Sequence, residues 1–302
     1  MSSFRRVYVE ISNICNLQCS FCPEVERDKQ VMTPAFFRQV LAQVAPMTDE
    51  VCLHLMGEPL GHPQLGEIVG ICAELGTPVN LTTNGLLLHG ERRDLMLHPI
   101  IRQLNVSVHS FEANFSGRDV TPYMDKLFKF TRVAMTERPD LYINYRLWDL
   151  VDDGTMTAEN AKIRAVIEAE FGVDMHAMGV DPRRKKGYVL AGRVYVNFDS
   201  RFEWPTLAAP KRAERGTCHG LSSHIGIHAD GTVVPCCLDK EAKLKLGDLK
   251  HESLADVLSG QRATAMRDGF AANRLVEDLC QKCTFIERFD RKVQRARAHP
   301  SA

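Results

Sequence analysis

The stretch "ICNLQCSFCP", Ile14–Pro23, places Cys15, Cys19 and Cys22 in the spacing C-x3-C-x2-C. Three cysteines make neither paired disulfides nor a closed tetrahedral zinc site, which takes four ligands. A cubane iron–sulfur cluster held by three thiolates keeps one iron without a protein ligand, open to a small molecule. A zinc ion borrowing a fourth ligand, or cysteines gathered without a metal, stay open on spacing alone. The run "RVYVEIS" (6–12) just before it alternates as a strand does. The cysteines therefore sit on the loop leaving the first strand, at the rim where β/α barrels build active sites.

Outward from this loop, strand-like runs recur at 50–56, 78–83, 103–109, 141–147 and 173–180. Helical patterns lie between them. "TPAFFRQVLAQV" has Thr33 as N-cap, Pro34 at the first helical position and a Phe37, Val40, Leu41, Val44 stripe. "TAENAKIRAVIEAEFG" turns Ile163, Val166, Ile167 and Phe171 inward and stops at Gly172, and "PQLGEIVGICAELG" closes at Gly76. Six strand–helix units imply parallel strands with right-handed crossovers, short of the eight of a closed barrel. The expected fold is α/β, a partial (β/α)6 TIM-type barrel over residues 1–200. A Pro- and Ala-containing aperiodic stretch, 203–218, reads as a linker to a small α+β domain at 205–290. There, Asp230-Gly231 signals a hairpin, and Leu254, Val257 and Leu258 line one side of a short helix. Residues 291–302 read as a basic, solvated tail.

The 302 residues carry a formal net charge of zero. That argues against charge-driven binding to nucleic acid or an anionic membrane. No apolar run approaches the length of a membrane span, and the N-terminus has no signal-peptide core, so a cytoplasmic location is expected. Ten cysteines without an export signal point to metal chemistry in a reducing compartment. Cys52 and Cys72 stand alone in apolar segments and read as core. A second group has 17 residues between Cys218 and Cys236, then 43 residues, then C-x2-C at Cys280 and Cys283. Four thiolates suit a fully ligated cluster or a structural zinc. Cys237 is left over, either as a neighbour without a ligand role or as a substitute for Cys236.

Further motifs follow in order. Phe21 makes the first group C-x3-C-x-aromatic-C. "MGEPL" (56–60), "TTNG" (82–85) and "NVSVHS" (105–110) follow the next three strands. This set resembles the radical S-adenosylmethionine superfamily over the whole barrel. The resemblance implies a 4Fe-4S cluster on Cys15, Cys19 and Cys22 whose open iron is chelated by S-adenosylmethionine. It implies that Glu58 accepts from the cofactor's ammonium, that Gly57 allows close backbone approach, and that Ser107 with Thr82 or Thr83 holds the ribose, Phe21 and Asn84 completing the cofactor site. One electron would break the sulfur–carbon bond, and the 5′-deoxyadenosyl radical would take a hydrogen atom from substrate. The second group, with "LGDL" (246–249), resembles the SPASM/twitch auxiliary-cluster domain. No cysteine follows Cys283, which fits the short form, with one 4Fe-4S cluster on Cys218, Cys236, Cys280 and Cys283 serving electron transfer. The implied cofactors are thus S-adenosylmethionine and two 4Fe-4S clusters, and the implied reductant is a flavodoxin or ferredoxin.

Strand alternation predicts the pocket lining. If Glu58 and Ser107 face inward, so do His54, Asn105 and His109. On the fifth strand Tyr142, Asn144, Arg146 and Trp148 share one side, opposite Ile143, Tyr145 and Leu147. His54, His109 and Arg146 are the candidate substrate-facing residues, with Glu10, a substrate anion or the cofactor carboxylate as partner for Arg146. Peptide maturases of this family often carry a leader-binding domain ahead of the barrel. Here the first strand begins near residue 6, so a polar small molecule, or a peptide delivered by a separate protein, is expected. The "RRKK" run (183–186) keeps a tRNA- or nucleoside-modifying enzyme as an alternative. An iron–sulfur electron carrier or a structural zinc protein is the non-enzymatic one.

Overall fold

The computed structural model describes residues 4–150, 158–179, 186–200 and 203–286. Its described strands form one ten-stranded sheet. In chain order they are β1 (Arg6–Val9), β2 (Val51–Cys52), β3 (Val79–Thr83), β4 (Ile101–Val106), β5 (Tyr142–Leu150), β6 (Gly187–Ala191), β7 (Val194–Ser200), β8 (His224–Ile227), β9 (Thr232–Val234) and β10 (Gly247–Asp248). The spatial order is β10-β9-β8-β1-β2-β3-β4-β5-β7-β6. From β1 through β5 to β7 each neighbouring pair is parallel, which gives the six-stranded open barrel.

The connecting helices bury the stripes that the sequence predicts. Helix α1 (Pro34–Val44) starts where Thr33 accepts from the Phe36 amide, and its Phe37, Val40, Leu41 and Val44 are buried. Helix α2 (Leu65–Glu74) ends at Gly76, whose φ of +62° suits glycine. Between β3 and β4 lies α3 (Gly90–Leu95), and between β4 and β5 lie α4 (Ser110–Phe115) and α5 (Thr121–Glu137). Helix α6 (Ala158–Phe171) buries Ile163 and Ile167 and stops before Gly172, at φ +60°. Cys52 and Cys72 are core residues.

The sixth parallel strand is β7, which replaces the strand expected at 173–180. Residues 175–179 form turns because the Asp174 carboxylate takes the His176 and Ala177 amides, at 2.8 and 3.0 Å. In β7, by contrast, Val194, Val196 and Phe198 alternate into the core.

Residues 203–218 have no regular element, as the aperiodic sequence predicts. Beyond them β8 and β9 form the hairpin around Asp230-Gly231, and β8 adds in parallel to β1. The C-terminal segment thus continues the barrel's own sheet. Helices α7 (Leu254–Ser259), α8 (Gln261–Ala271) and α9 (Asp278–Gln281) follow. Leu254, Val257 and Leu258 are buried together. The basic tail and residues 183–185 of "RRKK" lie outside the described residues, while Lys186 pairs with Asp199.

Candidate active site

The cysteine loop is held from below and from the side. After β2 the chain turns at Gly57, φ +75°, so tightly that a Cβ there would sit 2.4 Å from the Ser12 carbonyl oxygen and 2.9 Å from the Ile14 nitrogen. The close approach seen at Gly57 is made to the backbone entering Cys15. The Glu58 amide then donates to the Ile14 carbonyl at 2.9 Å.

Glu58 itself is buried, and its carboxylate is well used. One oxygen accepts from Thr83 Oγ1 at 2.7 Å and the Leu60 amide at 3.0 Å, the other from the Asn84 amide at 2.7 Å. Burial raises its pKa, and these bonds oppose the rise. Glu58 thereby ties the loop after β2 to the loop after β3. Asn84 extends the tie, its Nδ2 donating to Asn16 Oδ1 at 2.8 Å beside Cys15.

Sequence reasoning missed Asn114 of α4. Its Nδ2 donates to Cys19 Sγ at 3.1 Å, and its Oδ1 accepts from the Gln18 amide at 2.9 Å. A lone asparagine beyond the "NVSVHS" motif carries no signal for this.

A cavity of about 420 Å³ opens inside the barrel. Cys22 and Phe21 reach it from the first loop; Cys218, Cys236, Cys237, Cys280 and Cys283 line it from the C-terminal segment. His54, Thr82, Ser107, His109 and Arg146 also face it, as parity predicts for the histidines, the serine and the arginine. Gly57, Glu58, Thr83 and Asn84 do not line it; they build its support. Tyr8 joins the lining, and the alternation of β1, which buries Val7 and Val9 on the other face, could have found it. Both tryptophans of the chain, Trp148 and Trp204, line the cavity.

The charges inside are few. Thr82 holds both ring nitrogens of His54: its amide donates to Nδ1 at 3.2 Å and its hydroxyl lies 3.0 Å from Nε2, which puts the proton on Nε2. Burial, with Arg146 and Arg6 nearby, lowers the pKa of His54 to about 3. His109 Nδ1 meets the Arg146 carbonyl at 2.8 Å, and its ring stacks toward Trp148. Glu10 is not the partner of Arg146: its carboxylate binds Arg27 with two 3.0 Å contacts. Arg146 lies with its guanidinium 4.7 Å from the Trp148 ring, and its Nε is buried with no hydrogen-bond partner. Burial lowers its pKa to about 10. A buried N–H without an acceptor is costly unless something that enters the cavity accepts from it.

The two cysteine sets suit clusters better than free thiols. Both are groups of soft thiol donors with no disulfide among them, the donor set that iron–sulfur clusters use, and without metal, burial favours the neutral thiol at Cys280. Bound iron would supply the positive charge that favours the thiolate form. Among the described residues no three His, Cys, Asp or Glu side chains close on one point as a single metal ion needs. Cubane thiolates bind different irons and stand further apart.

A barrel with three cysteines on its rim loop faces five cysteines of the C-terminal segment across one cavity, a donor set that suits two iron–sulfur sites. The chain belongs to the radical S-adenosylmethionine superfamily, with a C-terminal SPASM iron–sulfur cluster-binding domain: the family models match residues 9–131 and 218–284, respectively. S-adenosylmethionine and 4Fe-4S clusters are the cofactors of these domains. The chain is 28% identical over 115 residues to PqqA peptide cyclase of Rhodopseudomonas palustris, covering 37% of this chain and 30% of that protein. The match thus spans under a third of that relative's length. Over 292 residues it is 20% identical to the S-adenosyl-L-methionine-dependent 2-deoxy-scyllo-inosamine dehydrogenase of Niallia circulans, covering 94% of each. Among solved structures, BtrN with AdoMet and 2-DOIA superposes with a TM-score of 0.60 at 17% identity, covering 94% of both chains. Streptococcus suis SuiB bound to precursor peptide SuiA gives 0.63 at 14% identity, covering 96% of this chain and 74% of that one. These likenesses carry the fold. Among the described residues no helix is long and apolar enough to cross a membrane.

Proposed function

We propose that this chain is a radical enzyme that takes a hydrogen atom from a polar small molecule held in the cavity between the two cysteine sets. Arg146 is the observation that carries the reading: a half-buried cation whose buried Nε has no partner, facing a cavity whose volume of about 420 Å³ suits a small ligand. The substrate presents an oxygen acceptor or anion to it, beside Trp148. The match to a small-molecule dehydrogenase along nearly the whole chain favours this over a peptide, which the shorter match to the peptide cyclases supports as the second reading.

Cys15, Cys19 and Cys22 would hold the radical cluster, and Cys218, Cys236, Cys280 and Cys283 an auxiliary one. Reduced and bound, the cluster and S-adenosylmethionine supply the agent that abstracts hydrogen. The chain's residues do the positioning. Thr82 and Ser107 offer hydroxyls for the ribose. Phe21, packed against His109 with ring centroids 5.0 Å apart, closes one wall. Glu58 fixes the loops through Thr83 and Asn84, with lone-pair capacity left for an ammonium. His54 is held neutral by burial beside Arg146 and Arg6 and is oriented by Thr82, so it acts as a wall and hydrogen-bonding group. A flavodoxin or ferredoxin of a reducing cytoplasm would deliver the electron, and the auxiliary cluster would carry one away from the product.

The test is anaerobic incubation with dithionite, S-adenosylmethionine and fractionated small metabolites, reading 5′-deoxyadenosine. A fraction should stimulate its formation in wild type and fail to do so in Arg146→Met, while that variant keeps both clusters. Equal stimulation of wild type and variant would remove Arg146 from substrate recognition.

A further inference from the structure

The segment after Cys236 and Cys237 reaches across to the loop that carries the first cysteine set. Glu241 accepts two consecutive backbone amides there, Glu26 at 3.0 Å and Arg27 at 3.2 Å, one on each carboxylate oxygen. Lys240 donates to the Glu24 carbonyl at 2.8 Å and pairs with Glu241. In return, Arg27 Nε donates to the Lys240 carbonyl at 2.6 Å. The Arg27 guanidinium continues inward to Glu10, which is fully buried and also takes the Met56 and Ala229 amides at 3.2 Å each. The side chains of Lys240 and Glu241 are only 12% and 10% exposed, so these are sheltered bonds.

At its other end the segment is tied to the second cysteine set. The Asp239 amide donates to the Cys236 carbonyl, and the Asp239 carboxylate takes the Lys243 and Leu244 amides at 2.8 Å each. Residues 236–241 are thus one stiff turn, with a cysteine of one set at its start and a clamp on the other set's loop at its end. Residues 22–30, between Cys22 and the residues before α1, have little regular structure of their own. Asn13 holds the arm's far end at Asp28 and Gln30, and the bonds from Glu241 to consecutive amides are its hold from the C-terminal segment.

We propose that Glu241, with Lys240, is a positioning residue for the radical cluster: the turn after Cys236 clamps the outgoing arm of the Cys15–Cys22 loop, so that the auxiliary site stabilises the radical site. The proposal rests on the cluster assignments above, yet its bonds exist within the protein itself.

The test uses full-length protein, reconstituted and metal-free, in wild type, Glu241→Ala, Glu241→Gln and the Cys280→Ala/Cys283→Ala pair. Hydrogen exchange at the Glu26 and Arg27 amides and trypsin cleavage after Arg27 or Lys29 read the arm. The spectrum of the reduced radical cluster, with and without S-adenosylmethionine, reads the site. Glu241→Ala should speed exchange and cleavage about tenfold and blunt the cofactor-induced spectral change, with auxiliary iron retained. Glu241→Gln keeps one acceptor and should lie between. The cysteine pair should loosen the same amides from the other end, and adding Glu241→Ala to it should bring little more, the non-additivity of one shared device. Wild-type exchange and cleavage in Glu241→Ala would overturn the clamp. Loosening in Glu241→Ala with an arm unmoved by loss of the auxiliary cysteines would overturn the coupling. A wild-type protein that binds no cluster at Cys15, Cys19 and Cys22 would instead refute the cluster reading, while exchange in the metal-free protein still reads the clamp.

Discussion

Gly57→Ala tests how the cysteine loop is supported. Two costs arise at once. The backbone at φ +75° disfavours any L-residue, by roughly 1–2 kcal/mol. The added Cβ would also lie 2.4 Å from the Ser12 carbonyl oxygen and 2.9 Å from both the Asn13 carbonyl carbon and the Ile14 nitrogen. Those are backbone atoms and cannot rotate away, so overpacking adds about 1–3 kcal/mol. Gly76→Ala separates the two terms. Its φ is +62°, yet nothing lies within 4 Å of its Cβ, so only the conformational cost applies. Urea unfolding of metal-free protein should therefore place Gly57→Ala about 1–3 kcal/mol below Gly76→Ala. Since the displaced atoms lead into Cys15, Gly57→Ala should also lose iron from the first site after reconstitution, and Gly76→Ala should not. Equal unfolding free energies together with full iron in Gly57→Ala would refute the reasoning.

Glu58→Gln puts an amide NH2 against the donors Thr83, Leu60 or Asn84, so it should cost about 1–3 kcal/mol in denaturant unfolding as well as weaken S-adenosylmethionine binding; unchanged stability would deny the carboxylate its joining role. Asn114→Leu removes the donor to Cys19 Sγ and should shift the first cluster's midpoint potential negative with its absorbance intact, as redox titration would read. Gly226→Ala would press on Val234 Cγ2 at 2.8 Å and Leu55 Cδ1 at 3.0 Å beside Cys236, so iron per chain should fall from about eight toward about four, at the auxiliary site. His54, His224 and His228 have pKa values lowered by burial to about 3, 4 and 3, below the unfolded value. The unfolded chain thus binds more protons as pH falls, and stability, complete above the unfolded pKa, should drop by about 2 kcal/mol between pH 7.5 and 6 for the three together. A flat urea midpoint over that range would show the imidazoles are not held neutral.

The parts of the barrel legible in the sequence are those where one period decides the outcome. Helix α1 was readable because Thr33, Pro34 and the Phe37–Val44 stripe all agree. The fifth strand was readable because Ile143, Tyr145 and Leu147 alternate strictly with polar residues, and the buried set is that apolar one. The run at 173–180 has strand-like composition, but its aspartate can satisfy the local backbone by itself, and that competition is invisible to periodicity. The cysteine sets were legible because ligand spacing is a local property. Support for those cysteines was not: Asn114 is 95 residues from Cys19, and Glu241 is 214 and 215 residues from the amides it holds. Nor was the pairing of Glu10, whose partner, Arg27, comes from an aperiodic loop.

The parallel pairing of β8 with β1 changes what the C-terminal segment is for. An open barrel leaves the outer edge of β1 with unpaired backbone groups, and an exposed edge invites pairing with other chains. Register Arg6↔His224 through Val9↔Ile227 covers that edge along all of β1. The same pairing sets His224 beside Tyr8, with ring centroids 6.1 Å apart, at the cavity wall. The hairpin then returns through β9 to deliver Cys236 next to Gly226, and the chain goes on to Glu241 at the arm of the first cysteine loop. Edge protection, the cavity wall, an auxiliary ligand and the clamp thus come from one run of about twenty residues, 224–241. A tethered module could supply the second set of cysteines but would leave its distance from the first to the linker. A shared sheet fixes that distance by hydrogen bonds.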